Sequence, residues 1–434
     1  MKTTIAVLGL ALALGLAAGP AGAAAEKYAA LHEVLRHFEV AFVEKANLNA
    51  LATGALRGLL RAVPGAEIRL EAEPKFATVT VAGKSETLLS DALHDFKALE
   101  AALVRVANLA VSAGKADKRT VEHGMLREMV AACGDPWSVF LEQDIYSRLI
   151  DDGTQVVGDV GLLFENIPGG LRVLDAVVGG PAFQDGVRAG MKVDKVAGRD
   201  AADLNELEAL ALCRGKPGDK VELTIAGKAR TLTIAEPPKQ NIRVDVLPGG
   251  FARVHLLDFR ADTGKHLAAV LPKIVEKGGA LKGLVLDLRG NPGGLVTEGT
   301  AVVGLFINGG TVVTVKKKKQ MGAEAESVRK PGPWKDLPLV LLTDHRSASV
   351  SEIVALALHD YERAKIVGEK TLGKGTVQVV MELSDGAALK LSTGRYYSPK
   401  DTPLYEGIEP DVEVAWDGRG EDLPLKKALA LLKK

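Results

Sequence analysis

The chain has 434 residues, more than a single compact core usually organises, so two or three domains are expected. Hydrophobic residues make up 47% and charged residues 25%, which is typical of a globular protein and excludes a largely disordered one. Lys plus Arg and Asp plus Glu number 55 each, so the charge gives no reason to expect nucleic acid or an anionic membrane surface as a partner.

The first 25 residues have the pattern of a secretion signal. Lys2 supplies a positive charge, residues 5–18 are apolar, and Ala21-Gly22-Ala23 is a small-x-small cleavage site, with a second at residues 23–25. The apolar stretch is short for a membrane span, which favours a cleaved signal over an uncleaved anchor. The sequence therefore predicts an exported, periplasmic protein, with peripheral attachment to the membrane as an alternative.

Residues 26–154 are predicted to form a mainly helical N-terminal region. Apolar residues recur at helical spacing over 28–42 and 51–60. Alternating residues at 67–71 and 76–81 predict a short hairpin before the next helices. No motif assigns this region a function, so partner binding and homodimer formation both stay open.

The rest of the chain changes pattern twice. Residues 155–237 alternate short strands with Gly-rich turns, which predicts a small β-rich domain that ends in a linker at Pro237-Pro238. Residues 238–434 alternate strands such as 283–288 with helices such as 263–276, an order that predicts an α/β core.

Metal chemistry has little support in the composition. Cys133 and Cys213 fall in different predicted domains, so two free, buried thiols are expected rather than a disulfide. Neither has a second cysteine or a histidine at metal-ligand spacing, and the chain has no His-Glu-x-x-His motif. We therefore expect no metal and no organic cofactor.

A serine-rich turn connects the predicted strand 339–342 to an apolar helix. A serine at such a helix N-terminus meets unpaired N–H groups, which a nucleophile needs because its tetrahedral intermediate carries an oxyanion. The pattern Ser349-Val-Ser-Glu352 also fits a capping box, and this segment alone favours that interpretation. Asp344 and His345 stand too close along the chain for a relayed Ser-His-Asp geometry.

A second segment supplies a candidate general base. Lys374 stands between Gly373 and Gly375, with strand-like residues on both sides. The glycines allow close backbone approach, and apolar surroundings would desolvate the amine. Burial lowers the pKa of a lysine, and only the neutral amine can take a proton from serine. A solvated surface charge is the alternative for a lone lysine.

Together the two segments resemble the C-terminal processing peptidases, or tail-specific proteases, of the S41 family. That family has Ser-Ala-Ser-Ala-Ser-Glu-Ile followed by Gly-Lys-Gly-x-x-Gln, with the lysine 25 residues after the middle, nucleophilic serine, the spacing found here. The resemblance therefore implies Ser349 as nucleophile rather than Ser347 or Ser351, Lys374 as general base, and Gln378 as the residue that orients the lysine.

Further motifs extend this resemblance over residues 120–434. Residues 286–295 resemble the family's Asp-Leu-Arg-x-Asn-x-Gly-Gly loop, which implies an oxyanion donor at Gly294, with Gly293 as the alternative, beside the N–H of Val350. Val350 replaces the family's usual alanine, and its β-branched side chain is expected to narrow the site. Three more segments, 134–141, 392–399 and 407–411, resemble the family's Asp-Pro-Tyr-Ser signature and its closing strands.

The β-rich segment resembles a PDZ domain. Gly161-Leu162-Leu163-Phe164 is similar to the PDZ loop that binds a carboxylate. Residues 181–190 are similar to the Pro-Ala-x-x-Ala-Gly-Leu-x-x-Gly turn of that domain. A PDZ loop captures the terminal carboxylate of a peptide, which then adds as a strand to the sheet edge. The resemblance implies that Gly161, Leu162, Leu163 and Phe164 bind substrate.

The sequence thus predicts an α/β multidomain protein with a helical N-terminal region, a PDZ domain and a ClpP/crotonase-like protease core. Its predicted activity is that of a serine endopeptidase that binds apolar C-terminal tails of exported proteins and cleaves them. Predicted partners are these protein or peptide substrates, an adaptor protein and a second copy of the chain. The alternative is a catalytically silent PDZ scaffold that binds protein C-termini.

Overall fold

The structure, a computed structural model, describes most of the chain. The described residues are 28–71, 76–89, 93–114, 116–150, 157–177, 179–236, 240–318, 322–416 and 420–433. The predicted secretion signal, the boundary near residue 154 and the linker at Pro237-Pro238 lie outside them. Within the described residues, every helix is too short or too polar to span a bilayer.

The N-terminal part combines helices with a small antiparallel sheet. Its helices are α1 (Ala29–Ala41), α2 (Leu48–Ala62), α3 (Phe96–Ser112) and α4 (Lys118–Ala131). The predicted hairpin is present, and a third strand joins it, in the order β1 (Ala66–Glu71), β2 (Phe76–Val81), β3 (Lys84–Leu89). The backbones of helices α2 and α4 are in direct contact. A Cβ on Gly58 would lie only 1.9 Å from the carbonyl oxygen of Gly124, so the close approach requires glycine there.

The segment that follows carries the β-rich part. Its elements are β4 (Val139–Leu141), α5 (Gln143–Leu149), β5 (Gly158–Asp159), β6 (Leu162–Ile167), β7 (Gly170–Ala176), α6 (Pro181–Gln184), β8 (Lys192–Val196), β9 (Arg199–Asp200), α7 (Glu206–Leu212), β10 (Arg214–Gly215), β11 (Lys220–Ile225) and β12 (Lys228–Thr233). The main sheet has the order β12-β11-β8-β7-β6, with antiparallel pairs, so β6 is an edge strand. Helix α7 packs against β6.

The C-terminal part is built on two sheets. Its elements are β13 (Ile242–Leu247), β14 (Phe251–Leu256), α8 (Thr263–Gly278), β15 (Gly283–Asp287), α9 (Val296–Gly304), β16 (Gly310–Lys317), β17 (Ala323–Val328), β18 (Leu339–Thr343), α10 (Val350–Asp360), β19 (Ala364–Gly368), β20 (Thr376–Glu382), β21 (Ala388–Tyr397), β22 (Val412–Glu413) and α11 (Leu423–Leu432). The first sheet runs β13-β14-β15-β18-β19-β22, parallel from β14 onward. The second runs β17-β16-β21-β20, and β4 also pairs with β21.

Both faces of the parallel sheet are covered. Every residue of β15 and β18 is buried, which is typical of a parallel strand between two layers. Alternate side chains such as Leu286 and Leu341 pack towards α8, α9 and α10, while Val285 and Val340 pack towards α11. The prediction of an α/β multidomain fold is confirmed.

The parallel sheet also places three loops at one edge. The glycine loop (residues 288–295) follows β15, the serine turn (344–349) follows β18, and the lysine loop (369–375) follows β19. These three strands are neighbours in the sheet. Because the carboxyl ends of parallel strands meet at the same edge, segments that are far apart along the chain converge there.

Candidate active site

Ser349 stands at a sharp turn between β18 and α10. Its backbone has φ 56° and ψ −115°, a conformation that residues with a side chain rarely adopt. Helix α10 is buried on all sides from Val350 to Leu358, so the core holds this turn in place. Strain of this kind persists only where the surrounding structure determines it, which marks the position as a candidate functional one.

Ser349 is the one serine of the three in this turn that is not fully buried. Ser347 and Ser351 are fully buried, and their hydroxyls donate to the carbonyl oxygens of Leu288 (2.8 Å) and Asn291 (2.9 Å). Ser349 is partly exposed. The structure therefore gives a reason, independent of the motif, to prefer Ser349 to its two neighbours as a nucleophile.

Glu352 joins the serine turn to the lysine loop. Its Oε2 accepts the backbone N–H of Ser349 (2.7 Å) and of Lys374 (2.9 Å), and its Oε1 accepts the Thr371 hydroxyl (2.6 Å) and the Gly373 N–H (2.7 Å). The side chain is fully buried, and burial raises the pKa of its carboxyl against these four hydrogen bonds. The sequence indicated only a capping residue here, because the lysine loop is distant along the chain.

The glycine loop lies directly against Ser349. A Cβ on Gly293 would come within 2.9 Å of both Ser349 Cβ and Val350 N. The N–H of Gly293 donates to Asn291 Oδ1 (2.9 Å), whereas those of Gly294 and Val350 make no hydrogen bond within the described residues. Of the two glycines that the sequence left open, Gly294 is thus the one whose N–H is available to a ligand.

The side chain of Val350 does not narrow the site. It is fully buried in the core cluster, and its Cγ1 lies against Gly299 of α9, where an added Cβ would be 2.4 Å away. The expectation of a narrower site is therefore wrong. The β-branched residue is accommodated because α9 has a glycine at the contact.

The backbone of Lys374 is held closely on both sides. A Cβ on Gly373 would meet Gly407 N at 2.9 Å, and one on Gly375 would meet the carbonyl carbon of Leu404 at 2.5 Å. The glycines therefore permit the close approach that the sequence suggested.

The amine of Lys374 lies over an aromatic ring. Its Nζ is 5.3 Å from the centroid of Trp137, and within the described residues no hydrogen bond joins it to Ser349 Oγ. Burial lowers the pKa of Lys374, while attraction by Glu206 and Glu352 acts in the opposite direction. Hydrogen bonds of this kind are often formed only with substrate bound.

Within the described residues Gln378 makes no hydrogen bond to Lys374. Its Nε2 donates to the carbonyl oxygen (2.9 Å) and the hydroxyl (2.6 Å) of Thr376, and lies 3.4 Å from Ser392 Oγ. Its predicted role in orienting Lys374 stays a prediction.

The 134–141 motif supports the lysine side of the site. Asp135 accepts the Ser138 hydroxyl, and Ser138 Oγ accepts the backbone N–H of Ser392 in β21 (3.1 Å). Trp137 lies between Asp135 and Ser138 in the chain, so these hydrogen bonds hold its ring beneath the amine of Lys374. The sequence linked the motif to a family but gave no role for its residues, because their partners come from β21 and the lysine loop.

The remaining polar residues of the serine turn are structural. Asp344 accepts the Gly290 N–H (2.9 Å) and pairs with Arg346 (2.7 Å), which also pairs with Asp175 of β7 (2.8 Å). His345 is exposed and contacts Glu369 (3.0 Å). Neither Asp344 nor His345 relays to Ser349, as the sequence predicted.

Two further predictions concern the β-rich part and the cysteines. Strand β6 pairs with β7 on one side and with none of the other described strands, while Leu162 and Phe164 point into the core. The N–H of Gly161 donates to Asp159 Oδ1 (2.7 Å). Cys133 and Cys213 are free and buried, so that prediction is confirmed.

Known proteins are similar to this chain over its C-terminal core and also over most of its length. The profile of peptidase family S41 matches residues 250–414. A carboxy-terminal-processing protease of Bartonella bacilliformis is 31% identical, with 69% of this chain and 70% of that protein covered. A carboxyl-terminal-processing protease of Synechocystis is 32% identical over 67% of this chain and 70% of that protein. For the carboxy-terminal processing protease CtpA of Bacillus subtilis, 30% identical, the match covers 69% of this chain and 65% of that protein.

A solved structure shares the fold. The photosystem II D1 C-terminal processing protease aligns with a TM-score of 0.67, over 94% of this chain and 97% of that one, at 23% identity. Sequence and fold agree on one assignment: the chain belongs to peptidase family S41.

Proposed function

We propose that this protein is a serine endopeptidase of the C-terminal processing type, with Ser349 as nucleophile and Lys374 as general base. The observation that carries the proposal is the position of Ser349. Ser349 is partly exposed on a strained turn against the glycine loop, and Glu352 ties that turn to the lysine loop. Within the described residues the N–H groups of Gly294 and Val350 make no hydrogen bond. The names of the curated relatives support the same activity.

In the proposed reaction Ser349 Oγ attacks the scissile carbonyl carbon. Lys374 accepts the hydroxyl proton and later delivers it to the leaving amine. The N–H groups of Gly294 and Val350 donate to the oxyanion of the tetrahedral intermediate. Because Glu352 fixes the backbone of Lys374, the amine reaches Ser349 by rotation of its side chain away from Trp137, and Gln378 then orients it.

We further propose that the β-rich part acts as a PDZ domain for apolar C-terminal tails. Among the described strands β6 pairs with β7 alone, and α7 packs beside it, an arrangement that suits strand addition by a peptide. In this proposal Gly161, Leu162, Leu163 and Phe164 contact the tail. The predicted secretion signal would bring the protein to exported substrates in the periplasm.

Peptides that end in apolar residues provide the test. Cleavage is expected from the wild type and from the control variants Ser327→Ala and Lys365→Ala, which change exposed strand residues. Ser349→Ala and Lys374→Ala are expected to lower kcat by about a thousandfold or more while the protein stays folded. Cleavage that persists in either variant would contradict the mechanism.

A catalytically silent scaffold would behave differently in the same assay. It would bind such peptides tightly, and wild type and Ser349→Ala would be indistinguishable because neither would cut. The names of the relatives, all processing proteases or peptidases, do not favour this alternative.

A further inference from the structure

A histidine of the N-terminal part is enclosed between two carboxylates. His123 of α4 is 4% exposed, and its ring packs edge-on against Phe140 of β4, with the centroids 5.1 Å apart. Its Nδ1 lies 2.6 Å from Glu142 Oε2, and its Nε2 lies 2.6 Å from Asp385 Oδ2. Each ring nitrogen is therefore within hydrogen-bonding distance of a carboxylate oxygen.

These two contacts determine which form of the ring fits. A neutral imidazole has one N–H donor, the imidazolium has two, and an ionised carboxylate can only accept. The carboxylates of Glu142 and Asp385 are 31% and 25% exposed, so water still solvates them, whereas the ring is enclosed. With both carboxylates ionised, the arrangement is satisfied only by the charged ring. Loss of its proton leaves a nitrogen lone pair that faces a carboxylate oxygen.

The two carboxylates belong to different parts of the chain. Glu142 directly precedes α5, and Asp385 lies in the turn between β20 and β21, 262 residues after His123. The same turn is also contacted by α1, because Glu33 accepts the N–H of Ser384 (2.9 Å). His123 therefore joins the N-terminal part to the tip of the hairpin whose first strand carries Gln378.

Other charged side chains lie near the ring or near its two partners. Arg61 pairs with Glu128, and the carboxylate of Glu208 pairs with Arg127, so these charges are engaged elsewhere. The charge on the ring is thus governed mainly by its own two partners. The neighbouring charged residues are Glu33 of α1, Arg61 of α2, Lys118, Arg119 and Glu122 of α4, and Glu208 of α7.

The pKa values of the group agree with the geometry. Burial acts to lower the pKa of His123, but the hydrogen bonds and charges of Glu142 and Asp385 outweigh it and raise the pKa above its ordinary value of about 6.5. The stability that the charged ring contributes is therefore fully present below about pH 6.5. It is lost as the pH rises through the pKa of the folded state.

The acid side of the range is set by the carboxylates. Burial acts to raise the pKa of Asp385, but its hydrogen bond with His123 outweighs this effect and lowers the pKa below its ordinary value. The contribution of Asp385 to stability is thus present above about pH 4 and lost only as the pH falls through this lower value.

We propose that His123, Glu142 and Asp385 form a pH-sensitive bridge that holds the N-terminal part on the tip of the β20–β21 hairpin and opens in mildly alkaline solution. Apolar contacts remain when the bridge opens, because Leu383 and Leu389 of the hairpin share a core cluster with the N-terminal helices. Opening therefore loosens the hairpin tip and leaves the fold intact. The proposal does not depend on the catalytic roles of Ser349 and Lys374.

The pH dependence of urea unfolding tests the proposal. Between pH 6 and pH 9 the unfolding equilibrium constant of the wild type should rise about tenfold more than that of His123→Gln, because one unit of pKa shift corresponds to a factor of ten. The two proteins should differ most at pH 6. His345→Gln is the matched control and should follow the wild type, since His345 also contacts a carboxylate (Glu369, 3.0 Å) but is exposed.

An NMR titration of the histidine rings measures the charge directly. The signal that is missing in His123→Gln should belong to a charged ring at pH 6, with a midpoint above about pH 6.5. Asp385→Asn removes one anion and should lower that midpoint by about one unit. Amide hydrogen exchange in the turn 383–387, corrected for its intrinsic dependence on pH, should become faster as the ring loses its proton.

Three results would overturn the proposal. They are a His123 ring that is already neutral at pH 6, an equal pH dependence of unfolding in the wild type and His123→Gln, and protection of the turn 383–387 that does not change across the titration. If His123→Gln does not fold, the wild type and Asp385→Asn still decide, because the His123 signal is then the one that Asp385→Asn displaces. Peptide cleavage that persists in Ser349→Ala would contradict the proposed function alone and leave these expectations unchanged.

Discussion

Ser349 and Lys374 lie in neighbouring loops of one sheet edge, yet the two side chains are held by different means. Ser349 is positioned by its backbone, through a strained turn that the buried helix α10 and the glycine loop enclose. Lys374 has a fixed backbone as well, but its amine is held by a ring face and by charges from other elements. Changes near the serine should therefore affect folding and rate together, whereas changes near the lysine should affect the pH profile.

The largest effect is expected at Glu352, whose carboxylate accepts hydrogen bonds from the serine turn and from the lysine loop. Glu352→Ala leaves four donors without their acceptor in a buried place, so we expect unfolding to become easier by about 3 kcal/mol or more. Activity should fall below detection. Urea unfolding and peptide cleavage measure the two effects, and Glu369→Gln, which removes a carboxylate bound to the exposed His345, is the control. Normal stability in Glu352→Ala would show that Glu352 does not hold the serine turn and the lysine loop together.

The next largest effect is expected at Gly293. In Gly293→Ala the new Cβ meets Ser349 Cβ and Val350 N at 2.9 Å, at a φ of 102°. The glycine loop must then move away from the serine turn, and we expect kcat/KM to fall by about a hundredfold. Gly322→Ala is the control, since Gly322 also has a positive φ (76°) but nothing lies within 4 Å of its Cβ position. Equal activities of the two variants would contradict a close fit between the loops.

A smaller effect is expected in the core behind the nucleophile. Gly299→Ala brings a Cβ against Val350 Cγ1 and should destabilise the protein by about 2 kcal/mol. Val350→Ala makes room, so the double variant should lose less stability than the two single changes added together. Additive losses in urea unfolding would mean that the two side chains do not share the space that the structure gives them.

The smallest effect is expected at Trp137, on the lysine side. Trp137→Leu keeps an apolar side chain but removes the ring that attracts the ammonium form of Lys374. The pKa of Lys374 should fall, so the rising limb of kcat/KM should move to lower pH by less than about one unit. Stability should change little in comparison. A large loss of rate with no shift of the limb would place Trp137 among the residues that fix the backbone instead.

Some of this architecture could be predicted without the structure because it depends on local patterns. The strand before Ser349 and the helix after it follow from apolar runs that a polar turn interrupts, and both are present as β18 and α10. The glycines around Lys374 indicated close backbone approach, which the segment 404–407 makes. The placement of Cys133 and Cys213 in different predicted domains led us to expect two free thiols, and both are free.

Other features could not be predicted because they depend on partners far along the chain. Local sequence predicted only a capping role for Glu352, because Thr371, Gly373 and Lys374 are brought to it by the order of the parallel strands. The side chain of Val350 was expected to face the site, but the direction of a side chain at the start of a helix depends on how the helix packs.

What the sequence determined by itself is the set of residue types at each loop: a serine at a strand-to-helix turn, a lysine between glycines, and a pair of glycines after a buried strand. Their resemblance to the motifs of the S41 family indicated the family. Only the tertiary structure decided which groups surround the lysine, because Glu206, Glu352 and Trp137 come from α7, α10 and the turn before β4. Electrostatic interactions depend on distance in space, and the distance between these residues is set by packing rather than by their order in the chain.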